Sequence, residues 1–338
     1  MASARSWRAR RFRRGVAGLA LAAVAVAACA PPDRSAEVAA IIKGLDNPFF
    51  QAMGQGIEDG ATGPVTVQAA QSTADTTGQA DKLSAVAVQG FGCYIINPIS
   101  GTNLVQSLSL IAKQGKPVIN IDSPVNAEAA RLAGATLASY VGTDNTHAGQ
   151  VAGDFLAGRL PAGAKVALIG GTAGDVTSRA RLDGFRAAVD GKLTVSQTVD
   201  VNEWSRSEAL TRAEEIMRAN PDLAGFFVAN DDMGLGVSRA VQNAGKSDQV
   251  RVVSVDGVED GLRAVKSGQL AATVAQYPYT IGEMGVEACR AAAAGHTLPA
   301  TVNAPVALVT QDNAADALSA FPKPFEQYDD PYRQLLQQ

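Results

Sequence analysis

The chain has 338 residues, 46% hydrophobic and 18% charged, with a formal net charge of −4. Such a composition excludes a disordered tail and gives enough length for two compact lobes rather than one. Six arginines lie within residues 1–14, so the remainder carries −10, and a strongly acidic surface excludes ordinary nucleic-acid binding.

In chain order, the arginine-rich start is followed by Gly15–Ala28, an uncharged run of Ala, Val, Leu and Gly. A charged and then apolar start is the layout of an export signal, expected over 1–28. The run is shorter than the roughly 20 residues a membrane span needs, which makes an anchor helix the weaker reading. Val26-Ala27-Ala28-Cys29 resembles a bacterial lipobox, with Val where Leu is more usual. Cys29 is therefore expected to carry a lipid at the outer face of the membrane, with simple cleavage as the alternative.

From residue 37 onward, apolar runs of strand length alternate with amphipathic stretches of helix length. The spacing predicts strands at 37–43, 65–70, 92–96, 117–122, 138–142, 165–170, 193–200, 224–230, 250–256, 270–276 and 304–310. Helical patterns lie between most of them, at 48–60, 76–90, 103–114, 145–159, 178–190, 206–219, 232–245, 257–267 and 278–294. Alternation of this kind, with near-continuous apolar strands, means α/β architecture with parallel sheets covered on both faces. So many strands exceed one small doubly wound sheet, and short polar crossings near 142–145, 276–279 and 310–313 offer places to change lobe. The segment 318–338, with two Pro-aromatic punctuations and no strand pattern, is expected as a surface tail packed on a lobe. Cys93 falls in the apolar CYII strand and Cys289 in an Ala-rich helix; two separate buried thiols and a disulfide both satisfy that placement.

In open parallel sheets, ligands sit outside the carboxyl ends of the strands. Here AAII ends in Lys43, with Asn47 close behind; YII ends in Asn97, VINI in Asp122, FFVA in Asn230, VVSV in Asp256 and ATVA in Gln276. One such residue is a turn or cap signal; six in one topological place indicate a site. The set mixes carboxylate acceptors, an ammonium donor and amides that do both, which suits a ligand rich in hydroxyls. Aromatics total only 5%, so Phe49, Phe50 and Trp204 in loops and helix starts fit rings packing against a sugar face.

Other chemistries find less support. Gly170-Gly171-Thr172-Ala173-Gly174 lacks the Gly-Lys-Ser/Thr ending of a phosphate loop and reads as a strand-to-helix turn. The two histidines, His147 and His296, stand in unrelated contexts, so neither a metal site nor a Ser-His-Asp triad is expected. Asp122 and Asp256 as a glycosidase-like acid and base pair is a minor alternative; no enzyme activity and no cofactor are expected.

The residues then resemble a known family, the periplasmic sugar-binding proteins of ABC transporters of the ribose/allose-binding type. The matching segments include LDNPFF (45–50), YIINP (94–98), PVINIDS (117–123), GTAGDVTSRARLDGF (171–185), ANPDLAGFFVAND (219–231), VVSVDG (252–257) and LAATVAQYP (270–278). The resemblance implies a type I periplasmic binding protein fold, two Rossmann-like doubly wound lobes joined by a hinge of three crossings. It implies one lobe from 36–142 plus 277–305 and another from 143–276 plus 306–317. Carried over residue by residue, it implies sugar contacts at Lys43, Asn47, Phe49, Phe50, Asn97, Asp122, Ser123, Arg181, Trp204, Asn230, Asp256 and Gln276. Lys43, Ser123 and Trp204 stand where the ribose-binding pattern has Ser, Arg and Phe, and Val255 replaces an aromatic residue. These departures favour a hexose or a polyol over ribose itself.

The resemblance further implies a monomer in the periplasm or at the outer face of the cell membrane, a monosaccharide or polyol as ligand, and permease and ATPase subunits as partners. A sensor presenting its ligand to a chemoreceptor or kinase is the alternative. A sugar-responsive transcription regulator would need a DNA-binding helix-turn-helix ahead of the first strand, where this chain has an export signal instead.

Overall fold

The computed structural model describes residues 33–338; the expected export signal and Cys29 lie outside the described residues. Two six-stranded sheets carry the fold. The first holds β1 (Val38–Ile42), β2 (Val65–Ala69), β3 (Cys93–Ile96), β4 (Val118–Ile121), β5 (Ser139–Gly142) and, from much later in the chain, β11 (Thr301–Asn303). Its order is β11-β5-β4-β3-β1-β2, and every pairing is parallel. The second holds β6 (Lys165–Gly170), β7 (Thr194–Asp200), β8 (Leu223–Val228), β9 (Arg251–Asp256), β10 (Ala272–Ala275) and β12 (Ala307–Thr310), in the order β12-β10-β9-β8-β6-β7. Here β12 runs antiparallel to β10, and the other pairings are parallel. Two parallel-dominated sheets with flanking helices make this an α/β fold of two lobes.

Sequence pattern explains which strands are central. CYII, VINI and ATVA are buried at every residue, as strands covered on both faces must be. TVSQTVD of β7 alternates exposed and half-buried residues along its length, the signature of a strand with one face toward solvent.

Flanking the first sheet are α1 (Pro48–Gly60), α2 (Thr76–Ala87), α3 (Val105–Ala112), α4 (Ala127–Leu132) and α10 (Pro278–Ala293). With the second run α5 (Asn145–Ala157), α6 (Val176–Val189), α7 (Arg206–Ala219), α8 (Asp231–Asn243), α9 (Glu259–Lys266) and α11 (Ala314–Ala320). The chain ends in a short α12 (Pro331–Leu335). Many helices start on an Asn or Asp cap that closes the preceding strand-to-helix loop: Asn47, Asp75, Asp144, Asp175 and Asn230 each accept a backbone N–H of the first turn. Such caps hold the loops at the carboxyl ends of the strands in one conformation, at about 1 kcal/mol each.

Three details differ from the sequence reading. The run expected as one strand over 304–310 is the crossing followed by β12 in the second sheet, and just ahead of it stands a short strand that was not expected, β11 in the first sheet. Cys93 and Cys289 are bonded to each other, tying β3 to α10 across 196 residues of chain. The segment 318–338, expected as a surface tail on one lobe, contains α12 and buries Tyr332 completely. Among the described residues no helix is long and apolar enough to cross a membrane.

Candidate ligand site

The carboxyl ends of both sheets open onto a cavity of about 610 Å³ between the lobes. Its wall on the first lobe starts where β1 gives way to α1. Asn47 spends its side-chain oxygen on the Phe49 N–H (2.9 Å) and Pro48 occupies the first helical position, where the missing N–H costs nothing. This entry turns Phe49 and Phe50 onto the cavity, their rings edge to face with centroids 5.2 Å apart.

Behind the rings lies a small polar group. Lys43 Nζ donates to Ser123 Oγ at 2.7 Å, stands 3.8 Å from Asp122 Oδ2 and lies 5.2 Å from the centre of the Phe50 ring. Ser123 Oγ in turn donates to Asp122 Oδ2 at 3.2 Å. The Tyr140 hydroxyl donates to the Asp122 backbone carbonyl at 2.6 Å; burial first, and the Asp122 carboxylate next, push that phenol well up.

On the second lobe the wall is a buried charge network. Arg181, 4% exposed, donates through Nε to Asn145 Oδ1 (2.8 Å) and through Nη1 to the Ala229 carbonyl (2.7 Å), and lies 3.4 Å from Asp256 Oδ1. Gln276 Nε2 donates to the same Asp256 oxygen at 2.6 Å. Burial raises the Asp256 carboxyl well above the usual carboxylate range, against the opposing pull of the Arg181 guanidinium. Two neighbours thus converge on Oδ1 of a residue that also lines the cavity.

Trp204 completes this wall, its ring 5.8 Å from the Arg181 guanidinium. The 3-10 turn Asn202–Trp204 holds it with both Glu203 (φ 52°) and Trp204 (φ 55°) in the left-handed region, and Thr172 Oγ1 accepts the Glu203 N–H at 3.0 Å. The ring lies on Gly171, where a Cβ would come within 2.2 Å of a ring carbon. The glycine run after β6 is therefore a shelf for an aromatic ring. Asp122 (φ 58°) and Asp256 (φ 140°) are also left-handed, so four residues lining the cavity hold conformations that cost non-glycine residues of order 1–3 kcal/mol each.

Of the twelve residues expected at the site, Lys43, Asn47, Phe49, Phe50, Asp122, Ser123, Arg181, Trp204, Asn230 and Asp256 line this cavity. Asn97 and Gln276 do not. Asn97 is fully buried, with its amide nitrogen 3.3 Å from Met53 Sδ and its side-chain oxygen unpaired. Gln276, equally buried, reaches the site only through Asp256 and leaves its own carbonyl oxygen unpaired. Lining residues that were missed include Thr73, Ser100, Thr172, Asn202 and Glu203. All stand in loops at strand carboxyl ends, so extending the strand-end rule from the first polar residue to the whole loop finds them.

Next to Asn230, Asp231 is wholly buried and accepts from Ser254 Oγ (2.6 Å), Thr273 Oγ1 (2.6 Å) and the Val258 N–H (3.0 Å). Burial pushes its carboxyl up to about 6, opposed by these hydrogen bonds. It braces the loop after β9 rather than facing the cavity. Among the described residues no group of three or more His, Cys, Asp or Glu is placed to hold a metal ion.

Residues 38–297 match the periplasmic binding protein domain family. The chain is 35% identical over 261 residues to the D-allose-binding periplasmic protein of Escherichia coli K12, covering 75% of this chain and 83% of that protein. It is 33% identical over 270 residues to the ribose import binding protein of Bacillus subtilis 168, covering 79% and 85%. Among solved structures, an ABC transporter periplasmic solute-binding protein from Actinobacillus succinogenes 130z with bound D-allose superposes with a TM-score of 0.77 at 25% identity, covering 83% of this chain and 99% of that one.

Proposed function

The chain belongs to the periplasmic binding protein family, and from that premise we propose that it captures a monosaccharide or polyol between its lobes and delivers it to an ABC importer. One observation carries the reading: each wall of the cavity pairs an aromatic ring with a cation and a carboxylate, Phe50 with Lys43 and Asp122, Trp204 with Arg181 and Asp256. Rings take the C–H faces of a sugar, and the charged groups take its hydroxyls as donors and acceptors. Because each cation already faces a carboxylate, the cavity favours a neutral ligand over an ionic one.

A ligand that touches both walls binds the closed form far better than the open one, and so shifts the lobes toward closure. The permease and ATPase subunits of the importer read that closed, loaded form. The names of the relatives span allose and ribose; Lys43 beside the small Ser123, with Trp204 opposite, favours an aldohexose of the allose kind or an open-chain polyol over ribose. The chain works as a monomer, is exported, and is held at the membrane by a lipid on Cys29. Its chemistry is binding without turnover.

A thermal-shift screen over D-allose, D-ribose, other aldoses and polyols tests the reading, since a tight ligand raises the melting temperature by mass action. At least one of these raises it and is recovered chemically unchanged. A screen in which none does so, or recovery of an altered sugar, overturns the reading.

A further inference from the structure

After β12 the chain does not stop on the second lobe. Helix α11 lies against α9, and Leu318, Phe321 and Phe325 pack on the second lobe's core. Two exposed residues later the chain is in the other lobe: Tyr328 packs against the first lobe's core, and Tyr332, fully buried, is part of it. Tyr332 OH lies 2.6 Å from Ser139 Oγ at the start of β5.

Polar contacts fasten the same segment along α10. Lys323 Nζ meets Glu283 at 3.0 Å and lies over the Tyr279 ring, and Arg333 Nε donates to Glu287 Oε1 at 3.1 Å. The segment also passes Tyr277, the left-handed residue (φ 56°) at which the chain crosses from β10 into α10. Helix α10 is the element that the Cys93–Cys289 bond fixes to β3.

We propose that residues 321–332 are a strap: a fourth covalent connection between the lobes, beside the three crossings, that limits how far they can rotate apart. The length of chain carries the argument. Phe325 and Tyr328 are three Cα steps apart, a span of at most about 11 Å when fully extended. Any opening that separates their seats further must first pull Tyr332 or Phe325 out of a core. The strap therefore narrows the range of open forms that closure has to search.

Docking of the strap is also linked to protons. Glu287 Oε2 and Asp330 Oδ2 are both buried without a donor, and a bond between the two carboxyls needs a shared proton. Burial first, then Asp330, pushes Glu287 up to about 7, with Arg333 opposing. The charged and titratable groups around the pair are Arg333, Tyr328, Lys323 and Glu283. A carboxyl raised in the docked state contributes fully below its free value and loses that contribution as pH rises through about 7. The strap holds most firmly in mild acid.

The test lengthens the leash without touching either seat. Inserting about six Gly and Ser residues between the exposed Glu326 and Gln327 adds roughly 20 Å of reach. Spin labels on Cys replacing the exposed Ala85 in α2 and Arg218 in α7 report the distance between lobes, in a Cys29→Ser background in which Cys93 and Cys289 are bonded. In the ligand-free protein the insertion broadens the distance distribution toward longer values while the melting temperature barely moves. Tyr332→Ala broadens it equally and lowers the melting temperature as well. An insertion variant whose distribution matches the parent's overturns the strap, whatever Tyr332→Ala does to stability. No ligand enters this measurement, so its failure is separate from a failure of the sugar reading.

Discussion

The two walls of the cleft use similar residue types and build them differently. On the first lobe the charges are loosely tied: Lys43 and Asp122 stand 3.8 Å apart with side chains 12% and 9% exposed, only Ser123 bridges them, and the Phe pair forms the apolar surface. On the second lobe the charges are tightly tied: Arg181 and Asp256 are 4% and 7% exposed, and Asn145, Ala229 and Gln276 fix them by hydrogen bonds. A charge with few partners leaves little unpaired when it is removed. One tied to several leaves them all unpaired, which costs far more. On the proposed sugar reading, the second wall governs affinity through electrostatics and the first through ring contact.

Ways to break this comparison range from large effects to small. The largest concerns the lobe behind the first wall, since only that lobe carries a disulfide among the described residues. Replacing Cys93 and Cys289 by Ser should cost about 2–5 kcal/mol of stability. Calorimetry should resolve the loss as an earlier-melting first lobe, and a single undisplaced transition would show that the bond carries no such load. Next, Asp256→Ala or Arg181→Ala should each cost about 2–4 kcal/mol of sugar affinity. Titration calorimetry with the best ligand of the screen measures it, and wild-type affinity in either variant would remove that residue from the site.

A smaller effect probes the shelf under the second ring. Gly171→Ala should push Trp204 off its seat at about 1–3 kcal/mol, the usual cost of overpacking. Trp204 is the only tryptophan besides Trp7, so its emission reports the displacement directly. An unchanged spectrum would mean that the glycine does not position the ring. Smallest of all, Lys43→Met should weaken binding by about 1 kcal/mol, the net scale of a single hydrogen bond. A loss as large as that of Arg181→Ala would erase the difference between the walls.

Much of this was legible in the sequence because the signals are strong and local. Helix bounds at 48–60 and 206–219, and strand bounds at 165–170, follow from periodicity, a Pro or Ser at the start and a Gly or Asn at the end. Polar residues at strand ends pointed to the cleft because a parallel sheet sends all its carboxyl ends the same way. Which of those residues face the cavity was not legible: Asn97 and Asp122 look alike in sequence, yet Asn97 turns inward to Met53. Pairing of Cys93 with Cys289 depends on a distance set by α10 folding back onto β3, which no spacing encodes. Helix α12 is five residues long, preceded by two acids and opened by Pro331, too short for periodicity to mark Tyr332 as a core residue.

The left-handed residues around the cavity have one more consequence. Asp122, Glu203, Trp204 and Asp256 occupy backbone conformations that glycine adopts without strain. At Asp256 a glycine would leave Arg181 and Gln276 without their partner, and at Trp204 it would strip a ring from the core, whereas Glu203 is exposed; selection in the laboratory for heat resistance would thus find its gain at Glu203 first, by substituting glycine there. Any thermostabilised descendant of this protein should be screened on ligand retention and melting temperature together, because Glu203 also lines the cavity.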